Sequence, residues 1–339
     1  MEEKSMKVVG FGDFMIHFSP IMDERFMQSR LMQVSYTGAE ANVCAALGLW
    51  GEKASFVTRI PDHQLARSGV SFLKSLWVET EHMMFGPGRM GTYYLEKGSG
   101  VRPSVVIYDR VPSAFTESSY EDYPWDEILR DAGVLYLTGI TPALSESLLV
   151  CTQRLCKEAA RRGIRIFFDV NHRPKLQDAE KARRIFGKLQ PYITDLIGNE
   201  EHLKMLFQIC PEQDDGHWEE RLKEVAEKTG AMTGIRNVAV TMRRTPSASQ
   251  AIFCAAYTDG CETMVSPQYR LQVVDRVGSG DAFSAGMVYG ALHGKTVADT
   301  VCFAAAACAM KHQIVSDINF STVAEIEALK ENMGYDVRR

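Results

Sequence analysis

Short β-branched runs alternate with longer amphipathic stretches through most of the chain, and this period constrains the fold more than any other feature. It is the pattern of a parallel sheet covered by helices on both faces. The predicted strands are Lys7–Gly12, Ala54–Arg59, Val134–Thr138, Arg165–Val170, Asp195–Gly198 and Asn237–Thr241. Between them the spacing predicts helices at Ala39–Leu49, Gln64–Ser75, Ser145–Arg162, Ala179–Gln190, Glu200–Phe207 and His217–Lys228. The last third changes character. Two antiparallel strands are expected at Ala251–Tyr257 and Thr263–Val265, then helices near Asp281–His293, Val297–His312 and Val323–Asn332. Met15–Gln33 and Gly91–Tyr108 interrupt the alternation, the second with the run Thr92-Tyr-Tyr-Leu-Glu96. Strands without intervening helices form a small separate sheet, often a lid on α/β domains, with extension of the main sheet edge as the alternative.

Composition excludes several classes. The 339 residues carry 38 Lys plus Arg against 43 Asp plus Glu, a formal charge of −5, whereas a general nucleic-acid binder needs a concentrated positive face. With 45% apolar and 24% charged residues the chain is expected to build a sizeable core. The stretch Met1–Lys7 is acidic, without the apolar run of a secretory signal, and the longest apolar run, Val301–Met310, is too short for a membrane span. Eight cysteines (44, 151, 156, 210, 254, 261, 302, 308) form no CxxC pair and fall mostly in apolar stretches. They read as reduced core residues of a cytoplasmic protein.

The strongest local signal is Val273-Val-Asp-Arg-Val-Gly-Ser-Gly-Asp-Ala-Phe-Ser-Ala-Gly286, a strand end leading into Gly278-Ser-Gly280 and a helix opened by Asp281. Small residues let successive backbone N–H groups converge, and the helix N-terminus adds partial positive charge, so the segment reads as a phosphate cradle. The plain alternative is a tight turn with Asp281 as N-cap. Gly290-Ala-Leu-His-Gly-Lys-Thr296 has only three residues between its glycines and follows a helix, which excludes a Walker loop and makes Gly294 a helix terminator. Gly10-Phe-Gly12 has Met15 at the third glycine position of a dinucleotide fingerprint, which argues against a nicotinamide site.

The loop Asp275–Asp281 resembles the second signature of the ribokinase-like sugar kinases, and the motif order from Gly12-Asp13 onward is similar to that family along essentially the whole chain. More narrowly, Gly38-Ala-Glu-Ala-Asn-Val43, Gly88-Arg-Met-Gly-Thr-Tyr-Tyr-Leu-Glu-Lys-Gly98, Val106-Ile-Tyr-Asp-Arg110, Thr138-Gly-Ile-Thr-Pro-Ala-Leu144 and Phe168-Asp-Val-Asn-His-Arg-Pro-Lys175 resemble the 2-dehydro-3-deoxygluconate kinases. The resemblance implies one α/β domain over residues 1–339, a three-layer αβα sandwich with a central mostly parallel sheet, and lid segments near 15–36 and 88–112. It also implies transfer of the ATP γ-phosphate to the 6-hydroxyl of 2-dehydro-3-deoxy-D-gluconate.

By that resemblance Asp281 is the base, and Gly278, Ser279 and Gly280 supply the anion hole. Gly38, Asn42, Tyr93, Tyr108, Arg110, Ile140 and Arg173 bind substrate, the two arginines being suited to a carboxylate. Asn199, Thr241 and Arg243, with Gly278 and Gly280, border the nucleotide, and Glu200 or Glu201 contacts Mg²⁺ through water. A monovalent cation and a homo-oligomer formed through the lid sheet are further expectations. Two positions depart from the family pattern. Thr37 precedes Gly38 where a second glycine is usual, and His202 replaces an acid in Asn199-Glu-Glu-His202, where a surface helix histidine is expected. The rival readings are a kinase of a neutral sugar or nucleoside, and a catalytically silent sugar-acid sensor.

Overall fold

The computed structural model describes residues 6–212 and 217–331. Its strands are β1 (Lys7–Phe11), β2 (Met15–Pro20), β3 (Met32–Thr37), β4 (Ala54–Ile60), β5 (Val78–Glu79), β6 (Met83–Phe85), β7 (Gly91–Glu96) and β8 (Val105–Asp109). Then follow β9 (Ala132–Thr138), β10 (Arg165–Asp169), β11 (Asp195–Asn199), β12 (Asn237–Ser247), β13 (Gln250–Thr258), β14 (Thr263–Val265) and β15 (Tyr269–Gln272). The helices are α1 (Ala39–Leu49), α2 (Gln64–Ser75), α3 (Trp125–Ile128), α4 (Thr141–Leu144), α5 (Glu146–Arg161) and α6 (Ala179–Leu189). After them come α7 (Glu200–Phe207), α8 (Trp218–Thr233), α9 (Ser279–Leu292), α10 (Val297–Lys311) and α11 (Val323–Lys330).

The main sheet runs β14-β13-β12-β11-β10-β9-β1-β4-β5, with β15 on β13 and β6 on β4. Neighbours from β5 to β12 are parallel, and β13 turns back antiparallel on β12. Side chains alternate between two cores, as the pleat requires. Val134 and Tyr136 of β9 enter the core shared with α1, α9 and α10, whereas Leu135 and Leu137 enter the one shared with α5, α6 and α8. Burial on both faces explains why β9 is apolar from Ala132 to Leu137, before the polar Thr138 at its end. The outer helices start where side chains satisfy their first N–H groups: Ser145 accepts from Leu148 N at 3.1 Å and Asp178 from Lys181 N at 2.7 Å. Helices α9 and α10 pack so closely that a Cβ on Gly286 would lie 2.5 Å from Ala304 Cα, which accounts for the alanine run of α10.

Both interrupting segments join in a separate four-stranded sheet, β3-β2-β7-β8, and do not extend the main sheet edge. One prediction fails at the phosphate loop. Val273–Asp275 is not a strand end, because the N–H groups of Val274 and Asp275 turn to His312 O; the strand there is β15, ending at Gln272. The brief β5 and β6 were also unforeseen. Gly294, at φ +57°, follows the end of α9 as expected. Asp214, Asp215 and Asn332 lie outside the described residues. Cys44, Cys151, Cys156, Cys254 and Cys308 are buried thiols, while Cys210 and Cys261 are exposed. Among the described residues no helix is long and apolar enough to cross a membrane.

Candidate active site

The carboxyl ends of the parallel strands open into a cavity of about 960 Å³, where α/β sheets bind ligands. Its floor is the turn into α9. Gly278 caps the helix at φ +75°, and a Cβ there would overlap the Asp317 carbonyl oxygen, so both the dihedral and the space demand glycine. Ser279 already belongs to the helix. Asp281 is therefore its third residue and not its cap. The N–H of Ser279 closes the turn on Arg276 O at 3.2 Å. Those of Gly278, Gly280 and Asp281 make no hydrogen bond among the described residues and are the open donors of a helix start. A Cβ on Gly280 would meet nothing within 4 Å.

Asp281 faces the cavity with one oxygen engaged. Asn42 Nδ2 donates to its Oδ2 at 2.7 Å, and Thr37 Oγ1 donates to Asn42 Oδ1 at 3.1 Å. The unusual Thr37 thus orients the amide that orients the carboxylate. Burial pushes the Asp281 carboxyl up to about 6, against the Asn42 bond and the Arg173 charge. Desolvation outweighs the helix terminus that favours ionisation. Nearby Asp169 is raised to about 7 by burial and by the Asp281 charge; its Oδ2 accepts from Ser284 Oγ at 3.3 Å.

All the predicted substrate residues line this cavity, in different states. Arg110 is closed on Asp13, its Nη2 lying 3.0 Å from Asp13 Oδ2, so it is not a free clamp. Asp13 Oδ1 is buried without a hydrogen-bond partner, as a carboxylate awaiting a donor would be. Arg173 donates to His172 O at 3.3 Å and has no carboxylate within 4 Å among the described residues. The Tyr93 hydroxyl is spent on Asp317 Oδ1 at 2.7 Å, its ring stacked on His17. Tyr108 is the more open ring, and Ile140 gives an apolar wall. Gly38 lacks a side chain because a Cβ would overlap the Asp13 carbonyl oxygen, a constraint independent of any sugar.

On the other side, Asn199 caps α7 by accepting from His202 N at 2.7 Å, Thr241 pairs with Asn199 across β11 and β12, and Arg243 Nη1 reaches Ser279 Oγ at 3.5 Å. Glu200 is closed off by Arg221, whose Nη2 donates to Oε2 at 3.1 Å. Glu201 lines the cavity with no ion pair among the described residues. The described residues form no cluster of three metal-binding side chains, so the donor set fits a hydrated Mg²⁺ carried by phosphates and not a protein cage. His202 is no surface residue: it is half-buried against His172, and burial pushes its imidazole down to about 4. A monovalent cation fits poorly at the root of the phosphate turn. Lys97 Nζ takes the Asp275 carboxylate at 2.9 Å, and Lys311 Nζ takes the Asp275 and Ile314 carbonyl oxygens at 3.4 and 3.0 Å.

Asp13, Asp169 and Thr37 are site residues absent from the sequence-based set. Asp169 is the last residue of β10 and Asp13 lies two residues beyond the end of β1, and an acid at the carboxyl end of a predicted strand was the signal available.

Residues 5–322 match the description of the pfkB family of carbohydrate kinases. The chain is 30% identical over 321 residues to the 2-dehydro-3-deoxygalactonokinase of Haloferax volcanii, covering 95% of each. The crystal structure of the 2-dehydro-3-deoxygluconokinase of Thermotoga maritima superposes with a TM-score of 0.93 at 35% identity, over 96% of this chain and 99% of that one. A PfkB family carbohydrate kinase from Listeria grayi gives 0.89 at 31% identity, over 96% and 99%. The loop, the carboxylate beside it and these likenesses agree: the chain belongs to the PfkB family of carbohydrate kinases.

Proposed function

We propose that the protein is an ATP-dependent kinase of a 2-keto-3-deoxy sugar acid, phosphorylating the 6-hydroxyl of 2-dehydro-3-deoxy-D-gluconate. The observation that carries this reading is Arg173, a guanidinium in the cavity wall that feels the Asp281 and Asp169 charges but has no carboxylate within ion-pair distance among the described residues. A planar cation in a concave site is suited to a carboxylate, which a neutral sugar lacks. Asp13 Oδ1 and Tyr108 supply polar contacts for the hydroxyls.

Asp281 takes the proton of the primary hydroxyl as its oxygen attacks the γ-phosphorus, while the bond to the β-phosphate oxygen breaks and ADP leaves. Asn42 holds one carboxylate oxygen, which leaves the other for that proton. The free N–H groups of Gly280 and Asp281 and the Arg243 guanidinium meet charge on the transferred phosphoryl oxygens. Glu201 would hold, through water, a Mg²⁺ carried with the nucleotide, which would neutralise phosphate charge.

The Haloferax relative favours a second substrate, the galactonate epimer. ADP release measured with 2-dehydro-3-deoxygluconate, its galactonate epimer, ribose and fructose tests both. The expected order puts the gluconate first. Preference for the epimer would replace the substrate, preference for a neutral sugar would overturn the sugar-acid reading, and binding without ADP release would leave a sensor.

A further inference from the structure

Lys311, the last residue of α10, is fully buried. No carboxylate lies within 4 Å of its ammonium among the described residues, so it is not half of a salt bridge. It donates to two carbonyl oxygens, Ile314 O at 3.0 Å and Asp275 O at 3.4 Å. An ammonium taken out of water costs several kcal/mol, and an apolar side chain would fill the same space without that cost. What the ammonium touches explains its presence. Asp275 opens the turn that ends at Gly280, and Ile314 opens the segment whose Asp317 carbonyl stands where a Gly278 side chain would lie. One cation thus bridges the two backbone stretches that enclose the Gly278 peptide. The surrounding charges are Asp275, bound to Lys97, and Asp317, bound to His17 and Tyr93. The positive charge also helps keep Asp281 ionised.

We propose that Lys311 is a positioning residue for phosphoryl transfer: its ammonium is a tethered monovalent cation that holds the Gly278–Gly280 turn in its working shape and makes turnover independent of potassium. Carbonyl oxygens converging on a buried point are what potassium and ammonium ions select, and here the side chain already occupies that point. The proposal rests on the kinase reading above, because it assigns the turn to the phosphoryl group.

The test uses the whole chain with Lys311→Met, which keeps the packing without the charge, and Lys311→Ala, which leaves room for a small cation. Turnover and melting temperature are measured in choline, sodium, potassium and ammonium chloride at constant ionic strength. Wild type is expected to turn over equally in all four. Lys311→Met should lose about 10²-fold in kcat with a much smaller change in sugar KM, the cost of a misplaced cradle. Lys311→Ala should lose as much, regain about tenfold with potassium or ammonium but not with choline, and melt higher in those two salts, which a merely structural role would not produce. Potassium activation of wild type, wild-type kcat in Lys311→Met, or a folded Lys311→Ala that no cation rescues would each overturn the proposal. If Lys311→Ala does not fold, the wild-type salt series and Lys311→Met still decide. A wild type inactive on every sugar would instead strike the kinase reading, and the melting temperatures alone would then judge the cation.

Discussion

Burial raises the Asp281 carboxyl most, the Asn42 amide and then the Arg173 charge oppose it, and the Asp317 and Lys311 charges act more weakly in opposite directions. Burial raises the carboxyl to about 6, and only the ionised form accepts a proton, so kcat/KM should fall as pH drops through about 6. Asn42→Ala removes a donor that favours the charged form. Its acid limb should therefore move to higher pH, and a profile measured from pH 5 to 8 that stays in place would contradict the orientation given to Asn42. Asp281→Asn should keep the fold and lower kcat by about 10²–10⁴. Near-normal turnover in that variant would remove the base. Little of this coupling could be read in advance. Asn42 and Asp281 are far apart in sequence, as are Asp13 and Arg110, and nothing local in either stretch announces its partner.

The turn into α9 was the most legible element, because its glycines, its acid and the helix they open are contiguous. Helices α2 and α7, with side-chain caps at His63 and Asn199 and a clear apolar spacing, were equally plain and begin and end at the predicted residues, as does α1, which is buried nearly all round and has no side-chain cap. The failures have local causes. β15 lies in Tyr-Arg-Leu-Gln, too short for a period, and is made by pairing with β13, while His312 draws the next residues out of the ladder. The two glycines of the turn should behave oppositely. Gly278→Ala forces a side chain at positive φ against the Asp317 carbonyl and should destabilise the fold by about 1–3 kcal/mol. Gly280→Ala meets no atom and gains helix propensity, so its melting temperature should hold or rise while kcat falls, because the methyl stands beside the open N–H groups. Equal effects of both substitutions on stability and turnover would show the turn to be only structural.

Across the whole molecule, the small sheet presents different faces to the cavity and to solvent. His17, Tyr93 and Tyr108 stand in register on one side, and Val34, Phe18, Tyr94 and Ile107 on the other, where Phe18 packs against the main core while Val34 and Ile107 are about half exposed. An apolar row at the outer face of such a sheet is suited to a second copy of the chain. Ile107→Glu should shift a dimer to monomer in light scattering while sparing the fold; a wild type that is monomeric at high concentration would refute that assembly. The central claim is that the cavity recognises a carboxylate, and the comparison of kcat/KM for 2-dehydro-3-deoxygluconate and a neutral sugar on wild type, Arg173→Lys and Arg173→Ala tests it most directly. Wild type should favour the acid strongly. Arg173→Ala should lose about 2–4 kcal/mol of that preference and Arg173→Lys less, because lysine keeps the charge but not the planar fork. An alanine variant with unchanged selectivity, or a wild type that phosphorylates the neutral sugar better, would contradict the account.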